Sequence, residues 1–443
     1  MPVSATKSPR VAVLADSDTR WKWGALTAQR VVPGVPEESA GPGIRLDGYL
    51  LRGRATPTPR QLTEVGVRAD SLREVTAVEF LRAIREESYD VLVLALVGGA
   101  VQAVLHGLRR LWEGTGERPV VVTGYVGVVY EKLADGLLLR HGADLVLANS
   151  RQDAERFRAV YEGVGADARA VTEVALPFLG GQPHTGEHDP RTVVFAAQPS
   201  VPENRRDRAY LLDRLIQHAR RHPEREVLLK LRSKPGEHTT HIEELPYQKL
   251  AQGQDLPANF RLVYGHMGEV LDRTDLLVTV SSTAALEALH RRIPTAVLTD
   301  LGVRETLGNH HFAGSGCLAS WDQLDAGHRP EPDKEWVARQ GVAAEGSYDT
   351  AFDEARERIA GLLDRAGGLP PLEPYYTTRT APGYLPGILA RHHLGPDGTP
   401  LPGAPAADRT PGPVRRIVRL AARGAYRHGV QRVAPVIRRM GEL

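Results

Sequence analysis

Three clusters of polar residues in this chain stand directly after apolar runs, and their types fit chemistry on a phosphorylated substrate. Ser281, Ser282 and Thr283 follow the run Leu276–Val280 and precede the helix-forming stretch Ala284–Arg291. Hydroxyls and free backbone N–H groups at such a junction act either as helix caps or as phosphate ligands. The helix dipole favours an anion there by roughly 0.3–1 kcal/mol per charge. Position after a strand favours the phosphate reading, and Glu287 on the same helix joins this group.

Lys230, Arg232 and Lys234 alternate at the end of the run Val227–Leu231, followed by Pro235, Gly236 and His238. If the strand continues, the three cations share one face. Such a face suits a diphosphate or a carboxylate; the alternative is a solvated strand end. His238 is either a general acid, a phosphate ligand or a structural loop residue.

Asp16, Asp18, Arg20 and Lys22 are interleaved with Trp21 and Trp23 after the run Val11–Ala15. We read residues 16–24 as a loop, with a helix starting near Ala25. Asp18 is the candidate general base for an acceptor hydroxyl. Trp21 or Trp23 can stack on a sugar, flanked by Arg20 and Lys22. Alternatively, the tryptophans staple the loop to the core and the acids cap a helix. After a further run, Gly124 and Gly127 admit close backbone approach; Tyr125 stands beside them, and Glu131 is a reserve base. Asn149 and Ser150 end another run and can be purely structural.

No metal site is expected: His310 and His311 are adjacent, and the chain has neither an HExxH motif nor a cysteine cluster. No cofactor is expected either. The one cysteine, Cys317, excludes an internal disulfide and reads as an apolar filler rather than a nucleophile.

The elements that must position these residues alternate. Strands are expected at Tyr49–Leu51, Val91–Val97, Val120–Thr123 and Leu145–Ala148, with helices at Ala77–Glu87 and Val101–Trp112. Continuous Val/Leu runs between helices indicate parallel sheets covered on both faces. The pattern restarts after residues 180–190 with strands at Val193–Ala196, Val227–Leu231, Phe260–Val263, Leu276–Val280 and Thr295–Leu298. The helical stretch Tyr348–Arg365 closes the second domain or crosses back to the first.

The 443 residues therefore read as two Rossmann-like α/β domains, 1–180 and 181–366, a Pro/Gly-rich connector over 367–413, and a basic tail over 414–443. Ligands of open α/β sheets bind at the carboxyl ends of the strands, which makes the cleft between the domains the expected site. A net charge of +2 argues against a general polyanion binder. No apolar signal core or membrane-spanning run is present, so a cytoplasmic location is expected.

These clusters resemble the GT-B glycosyltransferases, in particular bacterial CMP-sialic-acid and CMP-Kdo transferases and polysialyltransferase-like capsule enzymes. A similar likeness extends to an uncharacterised actinobacterial glycosyltransferase family. Ser281, Ser282 and Thr283 match the group's phosphate-gripping motif in type and place. Its Lys-x-His-Pro-like motif is matched loosely by Lys230 through His238. The resemblance covers roughly residues 10–365. It implies a GT-B fold and metal-independent transfer from a nucleotide sugar, with a CMP-sugar favoured. It also implies a base in the first domain, Asp18 with Glu131 in reserve. The basic tail over 414–443 would be explained by a glycan, wall-polymer or lipid-linked acceptor at a membrane. A nucleotide-sugar 2-epimerase or a non-catalytic binding protein on the same fold is the alternative.

Residues 414–443 carry eight arginines and one acidic residue. Val414, Ile417, Val418, Ala421 and Ala425 fall near one helical face. That composition suits an anionic membrane surface, here the inner face of the cell membrane. The alternative is a disordered basic tail. Nucleic acid is not expected as a partner, since Tyr426 is the one aromatic in the tail.

Overall fold

The computed structural model describes residues 8–33, 43–53, 55–115, 117–127, 132–186, 188–234, 245–342 and 347–404. Glu131, His238 and the tail 414–443 lie outside the described residues.

The chain divides into two compact units. The first holds seven strands: β1 (Arg10–Ala15), β2 (Arg45–Leu51), β3 (Ser71–Val75), β4 (Val91–Ala95), β5 (Val120–Gly124), β6 (Leu145–Ala148) and β7 (Val171–Glu173). They form one sheet in the order β3-β2-β1-β4-β5-β6-β7, and every pairing is parallel. The second unit holds β8 (Thr192–Ala196), β9 (Glu226–Lys230), β10 (Phe260–Val263), β11 (Leu276–Thr279), β12 (Thr295–Leu298) and β13 (Leu318–Ala319). Their order is β10-β9-β8-β11-β12-β13, again wholly parallel. Central strands such as Val91–Ala95 are buried at every position, as a sheet sandwiched by helices requires.

Both sheets run outward from their first strand, then return and run the other way. The reversal falls between β1 and β4 in the first unit and between β8 and β11 in the second. Crevices at such switch points, outside the carboxyl ends of the strands, are where open α/β sheets bind ligands.

Helix starts are set by local capping. Ser17 accepts the Arg20 N–H and starts a helix at Asp18–Val31. Thr76 and Glu79 form a reciprocal capping box before Ala77–Glu86. Ser150 and Asn204 cap Arg151–Gly163 and Arg205–Arg221. Each cap satisfies an N–H that the first turn leaves orphaned.

Three elements differ from the sequence reading. Residues 18–24 are helical rather than a loop, because Ser17 caps the turn and Trp21, Trp23, Ala25 and Ala28 bury one side of it. The stretch Tyr348–Arg365 forms two helical pieces, Ser347–Thr350 and Asp353–Leu363. Both belong to the first unit, where the Tyr348 hydroxyl donates to the Leu176 carbonyl at 2.8 Å and Arg356 to that of Arg30 at 2.9 Å. Residues 367–404 also group with the first unit rather than running as an extended connector. Leu385, Ile388 and Leu389 of the helix Leu385–Arg391 are buried in its core with Leu372 and Leu394. Pro386 sits in the first turn of that helix, where a missing N–H costs nothing. Among the described residues no helix is long and apolar enough to cross a membrane.

Candidate functional site

In the second unit, β9, β8 and β11 lie side by side, with Ala196 paired to both Lys230 and Thr279. The residues following these strands meet at the switch point. Thr279 Oγ1 donates to the Ala196 carbonyl at 2.9 Å and accepts the Ser282 N–H at 3.1 Å. Gln198 Oε1 accepts the Ser281 N–H at 3.0 Å, while Gln198 Nε2 lies 3.2 Å from Ser281 Oγ.

The three expected phosphate hydroxyls separate into different roles here. Ser281 is buried, and its hydroxyl donates to the Leu307 carbonyl at 2.6 Å. It is a strut between two loops, not a surface hydroxyl. Ser282 is half-buried and its Oγ accepts the Ala284 N–H at 3.3 Å. Thr283, also half-buried, makes no side-chain capping bond to the helix it precedes. Ser282 and Thr283 therefore carry what hydroxyl surface the motif has. Glu287 lies half-buried one turn on.

The cations grade outward instead of sharing one exposed face. Lys230 is buried, with Nζ donating to the Leu231 carbonyl at 2.8 Å. Arg232 is half-buried and Lys234 exposed, the latter 5.7 Å from the Tyr264 ring centroid. β9 ends at Lys230. Gln248 then pins the loop by donating to the Ser233 carbonyl at 2.9 Å.

At the first unit's switch point, both oxygens of Asp16 are engaged. Oδ2 accepts the Val97 N–H at 2.9 Å and Oδ1 accepts from Arg20 at 3.0 Å. The neighbouring strands are tied by Arg140, a residue the sequence reading passed over. Its guanidinium donates to the carbonyls of Gly124 at 3.0 Å, Gly136 at 2.7 Å and Leu96 at 3.2 Å. It also lies 4.0 Å from the Tyr125 ring centroid. Burial lowers the pKa of this guanidinium. Asn149 completes the tie, donating to Tyr125 and Gly127 carbonyls at 2.7 and 3.2 Å and accepting the Trp23 indole N–H at 3.3 Å. Asn149 and Ser150 are structural, as expected from their place at a strand end.

Asp18, the expected base, is the first residue of the helix Asp18–Val31 and is half-buried. Its Oδ1 lies 3.4 Å from the Thr19 hydroxyl. A helix N-terminus favours a carboxylate in this position. Lys22 is half-buried, with Nζ 4.7 Å from the Phe178 ring centroid.

Trp21 and Trp23 are 1% and 0% exposed and offer no face on which a sugar could stack. Their bulk makes them core residues, the stapling role that was the alternative reading. Gly124 serves the same packing: a Cβ there would meet the Leu147 carbonyl at 2.8 Å and the Trp23 ring at 2.9 Å. The Tyr125 hydroxyl lies 3.5 Å from the Leu133 carbonyl.

A further residue, from the segment expected to be a connector, lies within electrostatic range of Asp16. His392 caps the helix Leu385–Arg391 and is half-buried. Burial lowers its pKa, while the charge of Asp16 opposes that shift.

Cys317 is buried and its thiol is pushed up to about 11, which leaves almost no thiolate at neutral pH. His311 is buried against Phe312 and Trp336, so the His310–His311 pair is not a joint ligand set.

Residues 11–362 match the model of the family described as "Putative glycosyltransferase (DUF6716)". Among curated proteins none matches. Solved structures with a similar course include the UDP-GlcNAc 2-epimerase from Neisseria meningitidis bound to UDP-GlcNAc, at 9% identity and TM-score 0.49, covering 80% of this chain and 100% of that one. The S. aureus MnaA–UDP co-structure gives 13% and 0.47, covering 80% and 95%. The spinosyn rhamnosyltransferase SpnG gives 13% and 0.42, covering 84% and 100%.

Proposed function

The chain belongs to that glycosyltransferase family, and from that premise we propose that it moves a sugar from a nucleotide-activated donor to a glycan, wall-polymer or lipid-linked acceptor. The observation that carries the donor half is the placement of Lys230 at the end of β9 and of Ser282 and Thr283 just after β11, on the two strands that flank β8 at the second sheet's switch point. The hydroxyls of Ser282 and Thr283 suit the phosphate, and the graded cations Lys230, Arg232 and Lys234 suit its charge. A CMP-sugar is the favoured donor.

The reaction is a substitution at the anomeric carbon. Asp18 takes the proton of an acceptor hydroxyl, whose oxygen forms the new glycosidic bond. The bond from that carbon to the donor phosphate oxygen breaks, and the nucleotide departs with the electron pair. Lys230 and Arg232 offset the charge that develops on the phosphate, and His238 supplies a proton. The cations fill the role a metal ion has in other transferases, so transfer proceeds without one.

The basic residues 414–443 hold the enzyme at an anionic membrane surface, on the cytoplasmic side, where a lipid-linked acceptor is found. Each cation near such a surface contributes about 1 kcal/mol.

A thermal-shift panel of CMP, CDP, UDP, GDP and their sugars tests the donor, followed by donor turnover. A transferase leaks donor to water and an epimerase yields an isomer. A panel without any nucleotide response removes the proposal.

A further inference from the structure

A buried carboxylate at the opposite, amino edge of the second sheet is ringed by imidazoles. The Asp275 side chain is 0% exposed. Its Oδ2 accepts the Thr192 N–H at 2.7 Å, which ties the start of β11 to the start of β8. The same strut recurs elsewhere: Asp90 accepts the Arg10 N–H and Asp144 the Val121 N–H, each at 2.7 Å. Neither of these uses histidine. Asp144 is chelated by Arg118 through two N–H groups at 2.7 and 2.8 Å. At Asp275 those places are taken by His184 Nε2 at 3.0 Å and His188 Nδ1 at 2.8 Å, both on Oδ1.

An imidazole, unlike a guanidinium, has a ring nitrogen that can ligate a metal, and the half-buried Arg191 already interacts electrostatically with Asp275. A divalent ion on the two imidazoles would add to the positive charge that faces Asp275. The donors are held by the backbone before any ion arrives. The His184 N–H donates to the Arg291 carbonyl at 2.6 Å, and the His188 N–H donates to Asp275 Oδ1 at 2.9 Å. The side chain of His188 is 42% exposed, which gives an ion a path from solvent.

We propose that His184, His188 and Asp275 bind a divalent transition metal that clips segment 179–192 to the amino edge of the second sheet. Two imidazole nitrogens and one carboxylate oxygen suit Zn(II) or Co(II), with water in the fourth place. Tetrahedral ligands at about 2.0–2.2 Å stand about 3.3 Å apart. The present 2.8 and 3.0 Å His–Asp275 separations lengthen to that by a few tenths of an ångström, and all three ligand atoms lie within 4.8 Å of one another. The metal is a clip and not a catalyst, since the length of β8, about 13 Å, separates it from the carboxyl edge.

A second group, His218, His222 and Asp325, is less suited to a metal. Asp325 Oδ2 already accepts from Arg214 at 3.2 Å and Arg221 at 2.7 Å, and Arg225 points at His218 Nε2 at 3.4 Å. Those cations repel a dication.

The full chain, stripped with EDTA, is titrated with Zn(II) by calorimetry and with Co(II) by visible absorption. One equivalent per chain is expected, with d–d bands of a low-coordinate Co(II) and a raised Tm. His184→Ala and His188→Ala each weaken binding by roughly tenfold or more while leaving the metal-free Tm within a few degrees. Asp275 is left intact because its loss breaks the strand strut. The proposal is overturned if no stoichiometric binding occurs, if binding survives both substitutions, or if His222→Ala abolishes it instead.

Discussion

Asp16 Oδ2 accepts the Val97 N–H at 2.9 Å, joining the residues that follow β1 and β4 across the first sheet's switch point. Its other oxygen is held by Arg20. Two carboxylates, Asp16 and Asp18, thus stand two residues apart with different work: the first braces two loops, and the second sits on the helix's opening turn.

Asp18→Ala should therefore reduce transfer by about 10²–10⁴-fold, the usual contribution of a general base, with nucleotide affinity intact. Asp16→Asn should instead lower stability by roughly 0.5–1.5 kcal/mol, as the exposed Val97 N–H and the part-buried Arg20 guanidinium lose an ionised partner. Turnover assays and nucleotide titration on both variants check this. Loss of nucleotide binding in Asp18→Ala would sink the base assignment.

Trp23→Phe removes the indole N–H that reaches Asn149 but keeps an aromatic filler. The expected cost is about 1–3 kcal/mol, from the lost hydrogen bond and the space left by the smaller ring, a Tm drop of several degrees, with acceptor KM unchanged. The check is Tm and acceptor KM measured together. A large rise in KM at constant Tm would return the tryptophan to a substrate-facing role.

Much of the architecture was legible in sequence because parallel, doubly covered strands need continuous apolar runs. β4, β5, β8 and β11 announce themselves in that way. β3, Ser71–Val75, does not: it is an edge strand, exposed at four of five positions, and its polar text carries no such run. The connector misread has a different cause. Composition over 367–404 is rich in Pro and Gly, and it masks the short apolar spacing Leu385, Ile388, Leu389. For the site, sequence indicated which strand ends to inspect but not which side chains turn inward. Ser281 and Ser282 are adjacent and chemically alike, yet one hydroxyl is consumed by the Leu307 carbonyl. Arg140 reaches the first switch point by long-range folding, which no local motif encodes.

That difference between the two serines gives a donor-side prediction. Ser281→Ala should lower Tm, since Leu307 and Gln198 lose a buried partner, and should leave donor affinity of the folded protein nearly unchanged. Ser282→Ala should do the reverse, weakening the donor by roughly 2–12-fold, which corresponds to about 0.5–1.5 kcal/mol for one hydrogen bond. Donor titrations at a temperature where both variants are folded separate the two effects. Equal loss of affinity in both would show that the motif grips as a unit.

His218 supplies a pH dependence whose sign follows from its partners. The ring is fully buried and donates Nδ1–H to Asp325 at 2.7 Å, while Arg225 directs an N–H toward Nε2 at 3.4 Å. An N–H aimed at Nε2 requires a lone pair there, so the imidazole is neutral. Burial pulls its pKa down to about 4, with His222 and Arg225 adding to the shift and Asp325 opposing it. The unfolded chain takes up this proton near the ordinary value of about 6.5, and the folded chain does not until about 4. Between those values the unfolded state binds more protons, so the stability is fully present above about 6.5 and is lost as pH falls toward 4. The shift corresponds to roughly 3 kcal/mol at most. His218→Gln keeps a donor for Asp325 but cannot titrate. The wild-type protein should therefore lose more Tm than His218→Gln between pH 7 and 4.5, by several degrees, whereas carboxylates that titrate in both proteins cancel in the difference. Parallel Tm–pH curves for the two would rule out a neutral buried His218.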